Sequence, residues 1–153
     1  MNKDNQTPLH LAAEYGHKDI LAWILDNYNF DMRMKSAQGS TILHTAAVNG
    51  QSGCCSVILQ HRPDLNMKDE IGYTPLALAC QSGKIETVRE FLEHGAGVSH
   101  NIKCGTPLHI AATRNHAHVI EMMVKDYHWD VNIVSIIMDI EFHKELLLGG
   151  IIF

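Results

Sequence analysis

The feature that most constrains this chain is a motif of seven residues that occurs four times. The copies read TPLHLAA at 7–13, TILHTAA at 41–47, TPLALAC at 74–80 and TPLHIAA at 106–112. They begin 34, 33 and 32 residues apart, and nine residues after each Thr stands Gly16, Gly50, Gly83 or Asn115. A second apolar pattern follows each copy, beginning thirteen residues after the Thr. A period of this length predicts a repeat architecture.

Each position of the motif has a physical role in a pair of short helices. Thr is an N-cap residue whose hydroxyl accepts a backbone N–H left unpaired at the helix start. Pro is tolerated at the next position because its missing donor would be unpaired anyway. Small Ala residues let a neighbouring helix come close, and Gly or Asn at the end adopts the left-handed conformation that stops a helix. The later apolar pattern predicts a second helix with one wide buried stripe.

The residue two positions before each Thr completes the unit. Asn5, Gly39, Gly72 and Cys104 stand there, and Gly or Asn fits a tight turn that needs a positive φ. The predicted unit is therefore a turn, a short helix, a tight break, a longer helix and a loop. One such unit cannot hide its apolar stripe alone, so neighbouring units must stack.

The period and the Thr-Pro-Leu-His-x-Ala-Ala core resemble ankyrin repeats over roughly residues 3–132. The resemblance implies an all-α fold, an ankyrin-type helix-turn-helix solenoid with short hairpin loops and a concave binding face. We expect an ankyrin repeat domain at 1–132 and an irregular, apolar C-terminal tail at 133–153 that is helical in part. The expected units are about 3–35, 36–68, 69–100 and 101–132.

Several units depart from the pattern. The loops at 26–31 and 126–130 each carry two aromatic residues and lack the helix-ending glycine that Gly95 supplies in the third unit. These aromatics either cover the helix edge or form an aromatic contact site. In the second unit Ile42 replaces the Pro, and Gly53 stands inside the second helix, where Gly costs about 1 kcal/mol against Ala. We predict that this unit is locally the softest.

The tail at 133–153 has no Thr-Pro-Leu motif and no turn signal at the expected place. It is too charged in the middle to span a bilayer. Three interpretations stay open: it folds back over the last unit, it is the remnant of a longer array, or it is a binding or membrane-surface element. The chain also begins only six residues before Thr7, so no full hairpin leads the first unit.

Composition excludes several classes of protein. The hydrophobic fraction of 46% is too high for a disordered chain, and the net charge of −5 gives no basic face for nucleic acid. Four cysteines without regular spacing do not make a disulfide framework. The sequence shows no signal peptide and no apolar run of about 18 residues, so we expect no integral membrane segment. We expect an intracellular protein with reduced thiols, cytoplasmic or nuclear, and leave its oligomeric state open.

The chemistry-bearing residues are explained by their repeat positions. His10, His44 and His109 recur at one motif position, and the resemblance implies that their rings bridge neighbouring loops by hydrogen bonds. His116 and His118 are two apart, so on a helix they point about 200° from each other and cannot share a metal ion. We find no nucleophile elbow, phosphate-binding loop or recurring acid pair. We therefore expect no enzyme activity, no cofactor and no metal.

The cysteines follow the same register. Cys54 and Cys55 align with Ile20 and Leu21 and are expected to be buried small hydrophobic residues, and Cys80 aligns with motif alanines. Cys104 sits in the turn position and is predicted to be the most exposed thiol.

What remains for function is a surface. The residues just before each Thr and the two residues before each Gly or Asn break are not needed for stacking, and they vary between units while the scaffold positions are nearly invariant. We call this set the variable surface and predict that it binds a partner protein, with Tyr73, Ile71 and Arg114 as the strongest candidates because Tyr and Arg are enriched at interface hot spots. Its members are Glu14, Tyr15, Gln38, Val48, Asn49, Glu70, Ile71, Tyr73, Gln81, Ser82, Ile102, Lys103, Thr113 and Arg114.

The leading hypothesis is a protein–protein interaction module without catalytic activity, whose concave face and hairpin tips bind another protein. One alternative is a fragment or splice form of a larger ankyrin-containing scaffold, channel or effector. A minor alternative is a small inhibitor, since four-unit chains of this length resemble ankyrin-type inhibitors of cyclin-dependent kinases in size and unit count.

Overall fold

The structure is a computed structural model that describes residues 1–98 and 105–132. Its described part contains four helix pairs, which we call repeats 1 to 4. Their helices are α1 (Pro8–Glu14), α2 (Lys18–Asn27), α3 (Ile42–Val48), α4 (Ser52–Gln60), α5 (Pro75–Ser82), α6 (Ile85–Glu93), α7 (Pro107–Thr113) and α8 (Ala117–Lys125). This arrangement confirms the predicted all-α solenoid.

The first helix of each repeat begins at the motif Thr. Thr41 is in an extended conformation, and its hydroxyl accepts the backbone N–H of His44 at 3.5 Å. The His44 ring returns to the cap, with Nδ1 2.8 Å from Thr41 Oγ1 and 3.2 Å from Thr41 N. This capping box also forms in repeats 1 and 4. In repeat 3, where Ala77 replaces His, Thr74 Oγ1 accepts only the Ala77 N–H, at 3.4 Å.

The first helix ends where the sequence predicted. Gly16, Gly50, Gly83 and Asn115 have φ values of 77°, 62°, 74° and 60°. Gly50 also lies under the next repeat, because a Cβ built on it would come within 2.5 Å of Lys84 Cδ. Glycine at that position therefore meets two needs at once, a left-handed backbone and close approach.

The helices stack in two rows. The inner row is α1, α3, α5 and α7, the outer row is α2, α4, α6 and α8, and each helix packs on its neighbours in the same row and on its partner in the repeat. Small motif residues form the seam of the inner row, since Ala13, Ala47 and Cys80 are fully buried. One apolar core runs through all four repeats.

Hydrogen bonds join the hairpin loops into a continuous strip. The Ala37 N–H donates to Asp4 O at 2.8 Å, and one repeat further on the Glu70 N–H donates to Gln38 O at 3.3 Å. His10 Nε2 lies 3.0 Å from Ser40 O and His44 Nε2 lies 3.1 Å from Tyr73 O, each reaching into the next hairpin. The predicted bridging role of these two histidines is confirmed.

Left-handed backbone conformations also occur outside the breaks that follow the motif. Gly105, directly before Thr106, has φ 77°, which glycine adopts at little cost because it has no Cβ. Arg62 and His128 likewise adopt left-handed conformations near the ends of α4 and α8, where repeat 3 uses Gly95.

The predictions for Ile102, Lys103, Cys104 and the tail at 133–153 fall outside the described residues. Within residues 1–98 and 105–132, no helix has the length and apolar character that crossing a membrane requires.

Candidate functional site

The inner-row part of the variable surface is open to solvent. Stacking places the C-terminal ends of α1, α3, α5 and α7 side by side. Exposed there are Tyr15, Val48, Asn49, Thr113 and Arg114, and partly exposed are Glu14, Gln81 and Ser82. The motif leucines two residues after each Thr are buried in every repeat. The scaffold and the varying residues therefore separate into inside and outside, as the sequence pattern predicted.

The hairpin between repeats 2 and 3 is shaped by a residue that the sequence analysis did not single out. Asp69 Oδ1 accepts the backbone N–H groups of Ile71, Gly72 and Tyr73 at 3.0, 2.9 and 2.8 Å. This turn presents Ile71 with 55% of its surface exposed. An Asp at the start of a hairpin followed by Gly three residues later was the available signal.

Tyr73 has a different place from the one expected. Its ring is partly buried and packs against the apolar core, and its carbonyl accepts the His44 bridge. Because its side chain contributes to packing, Tyr73 is a poorer candidate for partner contact than Ile71 or Arg114, which are both exposed.

Side chains of repeats 2 and 4 form hydrogen bonds with the end of the first helix in the preceding repeat. Gln51 Nε2 donates to Glu14 O at 3.0 Å, and His116 Nε2 lies 3.0 Å from Gln81 O. These bonds use backbone carbonyls of the variable surface and link repeat 1 to repeat 2 and repeat 3 to repeat 4. A surface that is already ordered loses less entropy when it binds.

The expected separation of His116 and His118 is wrong. Their ring centroids are 5.9 Å apart, because His116 is the N-cap of α8 with ψ 63° and lies outside the helical geometry. Both rings reach back to repeat 3, where His118 Nε2 lies 2.8 Å from Gly83 O. In the described part of the chain, no group of three or more His, Cys, Asp or Glu side chains is placed to hold a metal ion.

The three described cysteines, Cys54, Cys55 and Cys80, are buried as expected and form no disulfide. Burial raises the pKa of each thiol above its ordinary value. Because the thiolate is the nucleophile, these positions are poorly suited to covalent chemistry.

The aromatic residues in the loops at 26–31 and 126–130 were expected either to cover the helix edge or to form a contact site, and the structure shows both arrangements. Phe30, Tyr127 and Trp129 are partly buried against the core and cover the helix edge. Tyr28 is exposed and meets the exposed Trp23 edge to face, with centroids 5.6 Å apart. The sequence did not single out Trp23, because it stands within the apolar pattern of the second helix.

Comparison with known proteins assigns this architecture to a class. The family model described as ankyrin repeats (3 copies) matches residues 1–69 and 62–135. The chain belongs to the ankyrin repeat family. The crystal structure of the human ASB11 ankyrin repeat domain superposes with a TM-score of 0.75 at 25% identity, covering 85% of this chain and 58% of that one.

Among curated relatives, the chain is 30% identical over 129 residues to a transient receptor potential cation channel subfamily A member 1 homolog of Caenorhabditis elegans. It is 34% identical over 115 residues to human SH3 and multiple ankyrin repeat domains protein 2, and 28% identical over 134 residues to human Rabankyrin-5. These alignments cover 82%, 74% and 85% of this chain but only 10%, 6% and 11% of the relatives. The shared part is the repeat array, and the family to which it belongs consists of protein-interaction modules.

Proposed function

We propose that this chain binds a partner protein through the variable surface and performs no catalysis of its own. The supporting observation is the contrast between the buried motif positions and the exposed ends of the inner row. The surface mixes apolar groups, such as Ile71 and Val48, with charged groups, such as Glu70 and Arg114. Mixed surfaces of this kind are typical of specific protein interfaces.

The partner that best fits is a protein segment with an apolar anchor and a flanking acidic group. Ile71 stands at a hairpin tip and offers an apolar contact, while Arg114 at the end of α7 offers a guanidinium for a carboxylate. Four repeats can present about 800 Å² to one partner, the size of a standard interface. Channel, scaffold and other activities in the relatives' names belong to those proteins, and we carry over only the interaction role.

The free thiols of Cys54, Cys55 and Cys80 support an intracellular place of action, which we propose as cytoplasmic or nuclear.

The decisive experiment compares two double variants of the full chain. Ile71→Ala with Arg114→Ala alters the variable surface. Ile20→Ala with Arg89→Ala removes the same residue types from the outer helices, where Arg89 makes only a partly exposed ion pair of 3.6 Å with Asp126. Partners captured by the unaltered chain are identified and purified, and their binding to both variants is measured by calorimetry.

The proposal expects the first variant to lose binding by at least about tenfold while the second binds like the unaltered chain. Circular dichroism should show both variants equally helical. Unchanged binding by the first variant, or equal loss in both, would place the interaction elsewhere.

A further inference from the structure

Repeat 1 leaves several large apolar side chains exposed or half-buried, and three of them, Leu11, Ile20 and Ile24, stand at positions that are buried in repeats 2 to 4. We call Leu11, Ile20, Trp23, Ile24 and Tyr28 the leading face. Leu11 is 37% exposed, whereas Thr45, Leu78 and Ile110 at the same repeat position are 4–8% exposed. Ile20 is 50% exposed, whereas Cys54, Thr87 and Val119 at its position are at most 1% exposed.

The four repeats differ in what covers the position of Ile20. Among the described helix pairs, repeats 2, 3 and 4 are each packed against the repeat before them, whereas repeat 1 is packed against repeat 2 alone. Cys54, Thr87 and Val119, which are buried at this position, each belong to a repeat that has another repeat packed before it. Repeat 1 has its other side covered by repeat 2, and there Leu21 is fully buried. The leading face is therefore the side of repeat 1 that faces away from repeat 2.

The leading face also carries the polar anchor of an interface between repeats. Gln51 and His116 stand ten residues after the motif Thr, and each places Nε2 3.0 Å from a carbonyl at the end of the preceding inner helix. His17 holds this position in repeat 1, where it is exposed beside the Tyr15 ring, with centroids 6.4 Å apart. A carbonyl supplied by a preceding helix pair would complete the same bond.

The hairpin edge shows a matching arrangement. Ala37 and Glu70 stand four residues before the motif Thr, and their backbone N–H groups donate to the preceding hairpin. Lys3 occupies the same position before Thr7 and is exposed. The leading side of repeat 1 therefore has an apolar centre at Ile20, an anchor position at His17 and a backbone N–H position at Lys3. Their spacing is the same as that of the equivalent positions in repeat 2, which join it to repeat 1.

We propose that the leading face is a stacking surface that takes the trailing side of one further ankyrin repeat, set in series before α1. The geometry fits this occupant because helix packing joins all three pairs of neighbouring repeats, and the junction of repeats 1 and 2 has both the side-chain anchor and the backbone hydrogen bond. An apolar helix or a lipid surface would use Ile20 and Trp23 but would leave the His17 and Lys3 positions without their counterparts. This inference is independent of partner binding at the variable surface.

The test extends the full chain by a tandem copy of residues 2–35 placed directly before residue 2, which keeps the 34-residue spacing between Thr7 and Thr41. Trp129→Phe, together with Phe at the Trp position of the added copy, leaves Trp23 as the single reporter. Stacking is expected to shift Trp23 emission to shorter wavelength and to raise the midpoint of one cooperative thermal transition by several degrees. Repeat arrays gain stability from each added interface.

Ile20→Glu provides the matched control. In the unextended chain the side chain is half exposed and the substitution should leave the midpoint unchanged. In the extended chain it should abolish both the emission shift and the gain in midpoint, because a carboxylate would be buried at the junction.

Two outcomes would overturn the proposal. In the first, Trp23 emission stays unchanged and the added repeat melts in a separate transition. In the second, sedimentation equilibrium of the unextended chain shows a dimer that Ile20→Glu dissociates, which would make a second copy the occupant. Neither outcome changes the expected loss of partner binding in the Ile71 and Arg114 variant, so the two proposals fail separately.

Discussion

The second helices of repeats 1 and 2, α2 and α4, differ in how deeply the same repeat position is buried. Ile24 in α2 and Ile58 in α4 stand at the same repeat position and have the same side chain. Ile58 is fully buried between repeats 1 and 3, whereas Ile24 is only partly buried because repeat 2 covers it from one side. In a stacked array, therefore, the neighbouring repeats and not the residue type alone decide how much a position contributes to stability.

The largest expected effect is the difference between these two isoleucines. Ile58→Ala should cost about 2–5 kcal/mol of unfolding free energy, because it leaves a cavity in a closed part of the core. Ile24→Ala should cost clearly less, since its site is open to water. Urea unfolding of both variants measures the difference, provided that the slope with denaturant stays unchanged.

Equal losses would contradict the comparison and would show that α2 is covered in solution. The extended chain proposed above sharpens the test, because stacking a further repeat should raise the cost of Ile24→Ala towards that of Ile58→Ala.

The second expected effect is loss of stability in acid through the bridging histidines. Burial lowers the pKa of His44 and of His10 from 6.5, although hydrogen bonds to Tyr73 and Ser40 oppose this. The Thr41 N–H donates to His44 Nδ1, so Nε2 carries the proton and donates to Tyr73 O. Protonating Nδ1 would turn this acceptor into a donor that faces the Thr41 N–H, so the hydrogen bond would be lost.

The sign follows from proton linkage. Below pH 6.5 the unfolded chain takes up protons that folded His10 and His44 resist, so stability falls as the pH drops from 6.5 towards the folded pKa values. Well above pH 6.5 both histidines are neutral in the folded and the unfolded chain, so they contribute no pH dependence to the stability. Midpoints measured from pH 8 to 5 should show the loss, and His44→Gln should reduce its slope. An unchanged slope would mean that His44 does not carry the effect.

A smaller effect is expected at Gly53 in α4. Gly53 is exposed within the helix, and a Cβ built there would meet only the flexible Lys18 side chain, at 3.3 Å. Gly53→Ala should therefore stabilise the chain by about 0.5–1 kcal/mol. Gly50→Ala is the control and should destabilise, because φ is 62° and Lys84 lies in the way. Stabilisation by both would indicate that the break after α3 can rearrange.

The smallest expected effect concerns local opening. Helices α4 and α6 both have repeats on either side, but only α4 contains an internal glycine, and α3 lacks the starting Pro of α5. Amide protons of α4 should exchange faster than those of α6, in line with the softness predicted for the second unit. Slower exchange in α4 would contradict that prediction.

Features that depend on local chemistry could be predicted from the sequence, whereas features that depend on neighbouring repeats could not. Thr caps, left-handed glycines and the histidine bridges follow from local chemistry that recurs in each copy, and so they could be predicted residue by residue. The His116 and His118 contact was missed because it depends on His116 lying just outside α8. The partial burial of Tyr73 and the exposure of Trp23 were missed because both depend on which neighbour covers the position.

The repeat period, the helix starts and stops, and the division into scaffold and variable positions could be read from the amino-acid sequence, because they depend on backbone preferences within about ten residues. The exposure of apolar residues in repeat 1 and the place of His17 beside Tyr15 became known from the folded structure. The physical reason is that burial in a stacked array is a property of the interface between repeats, and the residues that complete an interface belong to the neighbouring repeat.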